Sequence, residues 1–581
     1  MNIYKLVTVV LIAALVALLL ASAFNGFTRA PETALAAGAN FIVDSTLDEP
    51  NPDPSTGICT SSPSGKCTLR AAVQVANFVS APNTITLPAG TYTLTRSGYD
   101  DIALVGDLDL AKDVTIQGAG SGATIVDGNG GVTNDRVFQI LSSATHVMMT
   151  GMTVRNGVSV SSTVGVIGGG GLYIEGAGSV VLNDVIFDGN TGQNGGGVYA
   201  NFANTGGSLE MDNVVLHANT AVAGGVGEGG GAFVYMPASG SHFVIKDSTV
   251  YSNTADGTGG GIFIEGNTTN QWSMQRTHMY LNKAASAGAI GNLVPGAISD
   301  SRFDHNSVTF DGGVIQAFSP ITLVRSTLDA NSAARYGGAI FDLQTAGLAP
   351  NQEFAHIEGT TLSNNFALYG GAIYHDGFIT PNSRLVLLNS TLSGNGVSKN
   401  GNGGGLFVYG GQAHLLNSTV AFNRVYLGIF PRGTGIGAGL YITASATFTA
   451  QNSLIAENAR GNGITLDTPD DCFSSGTVGE LAYNLILTTT NCFVTGPQGG
   501  NIVGRDPLLG PLEYNGGPTW TRALLPGSPA IDAGAPAGCT DENGASLTTD
   551  QRGLVRPYGA GCDMGAYERH PDLFIPIIRR Q

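Results

Sequence analysis

The clearest regularity in the chain is an apolar residue three positions before an asparagine. The asparagines are Asn190, Asn219, Asn253, Asn282, Asn306, Asn331, Asn365, Asn395, Asn423 and Asn458. The residues three before them are Phe187, Leu216, Val250, Met279, Phe303, Leu328, Leu362, Leu392, Val420 and Ile455, all apolar. Successive asparagines are 29, 34, 29, 24, 25, 34, 30, 28 and 35 residues apart. One fixed unit carrying loops of different length gives such spacing, and that is the signature of a solenoid.

Most of these asparagines are followed by a glycine cluster, for example Gly195-Gly196-Gly197, Gly259-Gly260-Gly261, Gly312-Gly313, Gly337-Gly338, Gly370-Gly371 and Gly403-Gly404-Gly405. After it comes a short apolar run such as "IFI", "LYI", "LFV" or "AIY". The runs show no helical period, and Gly, Asn, Ser and Thr bound them, so they read as short strands. The pattern predicts an all-β right-handed parallel β-helix. Equivalent residues then stack about 4.8 Å apart on successive coils. An asparagine at an inward corner can pass its amide hydrogen bonds to the next coil, making a structural ladder of all ten, and can satisfy turn backbone groups. The glycines suit a bend where φ is positive or backbones crowd.

An aromatic residue follows the apolar residue of many post-glycine runs: Tyr173, Tyr199, Phe233, Phe263, Phe341, Tyr374, Phe407 and Tyr441. If the apolar neighbour points inward, strand alternation points this row outward. The row is a candidate stripe for binding sugar rings or another protein. Mutual stacking that stabilises the sheet is the alternative.

The N-terminus differs from the repeat. "MNIYK" is a short basic start, Leu6 to Phe24 is almost wholly apolar, and "ALAAGA" from Ala34 offers small residues for cleavage. Residues 1–36 are therefore an export signal peptide, or an uncleaved N-terminal membrane anchor. Export makes the six cysteines readable as a disulfide framework. Proximity pairs Cys59 with Cys67, Cys472 with Cys492 and Cys539 with Cys562.

Composition narrows the function classes. Of 581 residues 85 are glycine, only 12% are charged, and 42% are hydrophobic, so the chain has a core and many tight backbone positions. The net charge of -17 argues against a nucleic-acid partner, whose phosphates need Lys and Arg. It suits a solvated surface, with structural calcium an option.

Three stretches resemble known families. The combination of Phe187 to Asn190, Phe303 to Asn306 and Gly337 to Ile340 resembles the repeat of the chlamydial polymorphic outer membrane proteins, over about residues 168 to 460. The segment Phe41 to Asn77, with Cys67-Thr68-Leu69-Arg70-Ala71-Ala72, is similar to the CSLREA domain of secreted bacterial β-helix proteins. Its Leu69, Ala72, Val73 and Val75-Ala76 form an apolar helix face that can cap the open end of the stack. "DPLLGPLEYNGGPTWTRALLPGSPAIDAG", "TDQRGLVRP" and "CDMGAYE" resemble the choice-of-anchor Q region, over about Asp506 to Glu568. These resemblances imply a secreted or surface-displayed protein with a pectin lyase-like fold. The resulting division is 1–36 leader, 37–80 N-terminal cap, 81–485 β-helix, 486–568 C-terminal region capping the other end, and 569–581 tail.

Parallel β-helices of this shape include polysaccharide lyases and hydrolases, but fold alone does not carry function. The strongest catalytic candidates are Asp342 and His375, each two residues past the Ile of its Gly-Gly-Ala-Ile, with Arg335 and Asp376 near. Strict alternation would point both inward, so the strand is expected to have ended and the pair to lie exposed at a turn, with no third group beside it. Asp506, Asp532, Asp550 and Asp563 are calcium candidates or, more simply, partners of Arg552 and Arg556 and turn caps. No Gly-Lys-Ser/Thr follows a glycine cluster, so the clusters are not phosphate loops. The sequence reads best as an exported, non-enzymatic protein of the cell surface or envelope, with an adhesive role toward a glycan or protein ligand and membrane contact only through an uncleaved leader. A lyase or glycoside hydrolase acting on an acidic polysaccharide is the alternative.

Overall fold

A computed structural model of the chain describes residues 38–160, 168–176, 178–203, 206–343, 353–378, 382–428, 432–462, 467–492 and 499–570. The expected leader, and the tail from residue 571, lie outside the described residues.

One coil shows how the repeat becomes structure. Its strands are Ile340–Leu343, Glu353–Glu358, Thr361–Ser363 and Phe366–Ala367. They lie on what are termed the post-glycine, long-strand, pre-asparagine and short-strand faces. Each pairs in parallel with its counterpart one coil on: Ile340 with Ile373, Ile357 with Leu387, Leu362 with Leu392, and Phe366 with Gly396. Repetition of this coil builds a parallel β-solenoid of about 12 turns. The ten residues three before the asparagines fill its interior, all 0% exposed.

The asparagines form a continuous rail. Each Nδ2 from Asn190 to Asn423 donates to the Oδ1 of the next asparagine at 2.9–3.0 Å. Asn458 ends the rail on the carboxylate of Asp471, at 2.9 Å. Each side chain also serves the backbone: Asn331 Nδ2 donates to the Phe303 carbonyl, and the Asn306 amide donates to Asn331 Oδ1. The residue before each asparagine is left-handed even where it is not glycine, as at Leu281 (φ 57°), Ala330 (55°) and Phe422 (61°). Such backbone is unfavourable for L-residues, and the corner holds it because the hydrogen bonds on either side are fixed.

A second rail, absent from the sequence reading, lies five residues earlier. Backbone amides of Thr277, Ser301, Ser326, Thr360, Ser390 and Ser418 each donate to the hydroxyl at the same position one coil on. The rail continues through Ser453 to Asn484 and Asn501. The regular coils thus extend to the parallel strand Ile502–Val503.

At the N-terminal end the helix Leu69–Phe78 is buried along its length up to Ala76. Thr68 caps it by accepting from the Ala71 amide. Arg70 is wholly buried; its guanidinium pairs with Asp48 at 2.6 Å and donates to the carbonyls of Ala103, Gly106 and Asp107. It thereby ties the cap to the loop that precedes Leu108. Strand Asn40–Ile42 pairs with Asn83–Leu87, so the cap also supplies a strand.

The C-terminal region does not cap the opposite end. It runs as a strap along the pre-asparagine face. Thr519 donates to the Gly359 carbonyl, Thr361 to the Trp520 carbonyl, Asn389 to the Thr549 carbonyl and Asn417 to the Thr540 carbonyl. Gln551 bonds Thr361 and Thr391, and Arg556 donates to Asn389 Oδ1. The strap fits there because that face turns small: Thr361, Ser363, Thr391, Ser393, Thr419 and Ala421 are buried beneath it. Upstream the same columns carry His278, Arg302, Tyr251 and Tyr280, which leave no such trough. The cysteines pair as proximity suggested, with Cα separations of 5.0, 5.0 and 6.0 Å.

Replacing Asn331 by Ala orphans the Asn306 amide and the Phe303 carbonyl. Destabilisation of about 1–3 kcal/mol is expected for unsatisfied buried partners. Denaturant unfolding measures it; an unchanged midpoint would remove the structural role of the rail.

Candidate functional site

The post-glycine face carries the aromatic row in one register column. Tyr173, Tyr199, Phe233 and Phe263 pair in succession; Gly291 and Gln316 interrupt the column; Phe341, Tyr374, Phe407, Tyr441 and Phe473 resume it. A side chain at Gly291 would collide with the Phe263 ring, its Cβ only 2.4 Å away.

These rings leave the coil interior but are not an open stripe. Tyr173, Phe233, Phe263, Phe341, Tyr374 and Phe407 are buried, and Tyr199, Tyr441 and Phe473 are partly exposed. Tyr374, Phe407, Tyr441 and Phe473 stack nearly parallel at 4.8–4.9 Å. Tyr336 and Tyr369, which precede the glycine pairs, pack against Phe341, Tyr374 and Phe407. The stacked rings therefore spend most of their faces on one another, as sheet packing does.

The column opens at one corner. Strand Leu406–Leu416 carries one residue more than its partner: His375 aligns with Val408 but Asp376 with Gly410, which leaves Tyr409 as a bulge. Bulges re-aim side chains and gather beside functional sites. Tyr409 is 38% exposed and Phe378 58%, with ring centroids 5.3 Å apart. Asp376 lies beside them, half-buried, its carboxyl raised by burial.

Directly inside this corner sit Asp342 and His375. The expectation of an exposed pair at a strand end is overturned: both strands run on, both side chains point into the coil, and both are 0% exposed. His375 Nδ1 lies 2.8 Å from Asp342 Oδ2. A third group is present after all, since Ser383 Oγ is 3.2 Å from His375 Nε2. Gly411 passes so close that a Cβ there would sit 2.9 Å from that Nε2. The arrangement has the hydrogen-bond order of a Ser-His-Asp triad. Ser383 is only 1% exposed, so a substrate carbonyl has no approach to its hydroxyl and the relay ties the corner together. Arg335 is engaged elsewhere, with Asp311.

Two carboxylates escaped the sequence reading. Glu228 and Glu265 lie on the coils of Phe233 and Phe263, both half-buried. Burial, then the charge of Glu265, pushes the Glu228 carboxyl up to about 7, and burial raises Glu265. On the pre-asparagine face, His217, Tyr251 and Tyr280 form a partly exposed stack at 4.2 and 4.9 Å, and Asp304 accepts from His278, Arg302 and His305.

The surroundings of Leu108 hold a buried excess of acid. Asp107, Asp109 and Asp135 are each nearly inaccessible, and Asp107 Oδ1 and Asp109 Oδ1 have no hydrogen-bond partner. Arg136 faces Asp107 and Asp135 only at 3.7 and 3.9 Å. Burial pushes the Asp109 carboxyl up to about 7; the Ala103 amide opposes this, and the charges of Asp100, Asp101 and Asp135 add to it.

In the strap, Asp550 pairs with Arg552 at 2.7 Å, whereas Arg556 pairs with Glu568 at 2.9 Å. Asp563 accepts from the amides of Asp532 and Arg569, Asp532 from those of Ala560 and Gly561, and Asp506 from that of Leu508. Among the described residues no group of three or more His, Cys, Asp or Glu is arranged to hold a metal ion.

No protein-family description matches the chain, and no curated protein matches it. Among solved structures it is similar to the pectate lyase Pel9A, at 13% identity over 92% of this chain and 98% of that one, with a TM-score of 0.28.

The buried acid cluster gives a signed pH dependence. The Asp109 carboxyl is raised from its unfolded value of about 3.9. Its contribution is therefore fully present at low pH and is lost as pH rises from about 4 through about 7. The unfolding midpoint of Asp109→Asn relative to wild type should climb over that interval. Parallel pH profiles for the two proteins would refute the assignment.

Proposed function

We propose that the protein is an exported, non-enzymatic binding scaffold of the cell surface or envelope, and that it holds a glycan at the Phe378–Tyr409 corner. The observation that carries this reading is that pair of rings. They stand exposed beside a bulge, whereas most rings of the neighbouring column are buried. A sugar ring places its C–H face on an exposed aromatic, and Asp376 beside the pair can accept from a hydroxyl. Three disulfides favour an oxidising compartment outside the cytosol. The resemblance to CSLREA and choice-of-anchor Q regions points the same way. The stiff, regular coil suits a display role.

A second reading is a glycoside hydrolase or lyase, and Glu228 favours it. A carboxyl that burial and a neighbouring carboxyl push up to about 7 has the character of a general acid.

Immobilised plant, bacterial and host glycans probed with the full chain separate these readings. Phe378→Ala with Tyr409→Ala should weaken glycan binding at least about tenfold, as loss of two aromatic contacts implies. Retained affinity in the double variant sinks the site. New reducing ends or unsaturated uronates that disappear in Glu228→Gln would establish the enzyme instead.

A further inference from the structure

The N-terminal cap carries an open groove of about 440 Å³ between the end of the cap helix and the loop before Leu108. Its apolar lining is unusually open: Phe78 is 60%, Ile102 63% and Leu104 40% exposed. Asp53 and Asp101 stand on its rim, both exposed. Apolar surface left in water beside two carboxylates that have no ion-pair partner among the described residues marks a contact site, and its complement is an apolar segment ending in basic residues.

The chain itself contains that segment. "LFIPIIRR", Leu573 to Arg580, is five large apolar residues and a proline followed by two arginines. It follows directly on the strap, whose last described residue, His570, bonds the Val555 carbonyl next to Arg556, which is anchored on Asn389. Asn389 belongs to the coil that contains Ile373.

Reach decides which groove the segment can enter. From Leu108 to Ile373 the post-glycine face counts nine strand-to-strand steps. At about 4.8 Å per step the axial distance is about 43 Å. The ten residues from His570 to Arg580 span at most about 36 Å fully extended. The segment falls short of the groove of its own molecule.

We propose that Leu573 to Arg580 of one copy docks in the cap groove of a second copy, with its apolar side chains against Phe78, Ile102 and Leu104 and its arginines on Asp53 and Asp101. The contact joins unlike surfaces, so it is heterologous. Repeated head to tail it extends into a filament, or closes into a ring if the rotation allows.

The test is a charge exchange read by sedimentation velocity on the full chain over a hundredfold concentration range. A fluorescent peptide of residues 571–581 is titrated in parallel. Wild type should associate with rising concentration, and the peptide should bind saturably and block that association. Asp53→Lys with Asp101→Lys should weaken both at least tenfold. Arg579→Glu with Arg580→Glu should do the same to association, without touching the fold, because these residues lie beyond the strap. Combining all four changes should restore association to within about threefold of wild type. A wild type that stays monomeric and ignores the peptide overturns the proposal. So does association that the arginine changes leave intact, or a four-fold variant that is not restored although its unfolding midpoint matches wild type.

Discussion

Two rails of side-chain hydrogen bonds hold this molecule in register. A strand of three residues such as Thr361–Ser363 has few backbone bonds of its own, and left-handed residues border it on both sides. Such a segment is poorly fixed by itself. The hydroxyl rail at Thr360 and the amide rail at Asn365 pin its two ends to the same positions one coil away. Once those corners are fixed, each coil must lie directly on the last. The interior then receives several apolar residues from each coil, such as Ile340, Ile357 and Leu362, and the rings on the post-glycine face meet at stacking distance.

Regularity of this kind also limits where recognition chemistry can sit. An aromatic in the middle of the column is surrounded by equivalent rings above and below, and its faces are unavailable. Large exposed rings and apolar side chains appear where the repeat is broken, at the bulged Tyr409 and in the cap, whose Phe78 and Ile102 belong to no column. The relay of Asp342, His375 and Ser383 illustrates the converse. It has the hydrogen bonds of a catalytic group but lies on the inner side of the wall.

What could be read from the sequence follows from the same periodicity. The amide rail and the apolar residue three before it were legible, because one residue type recurs at one spacing. The hydroxyl rail was not, since Ser, Thr and Asn share the position and each is common in turns. The fate of Asp342 and His375 turned on whether two strands ran one residue further, which no local pattern states. Burial of Phe341, Tyr374 and Phe407 involves Tyr336 and Tyr369, which sit on the far side of the glycine bend. Ser383 reaches His375 across a corner eight residues on. The lateral course of the strap rests on pairs such as Thr361 with Trp520, 159 residues apart, and small residues on strands do not announce what covers them.

A stack whose coils touch only their neighbours can fray one coil at a time. The strap changes that for part of the molecule. By bonding to Gly359, Asn389, Asn417 and Asn452 at once, it makes the release of any one of those coils depend on the rest. The C-terminal coils therefore open as a unit, whereas those from Asn190 to Asn331 keep the freedom to breathe singly. Because the strap follows these coils in the chain, the newly synthesised coils wait with their small-residue trough uncovered. Cooperative closure of that half waits on the strap and is not a matter of coil-by-coil growth.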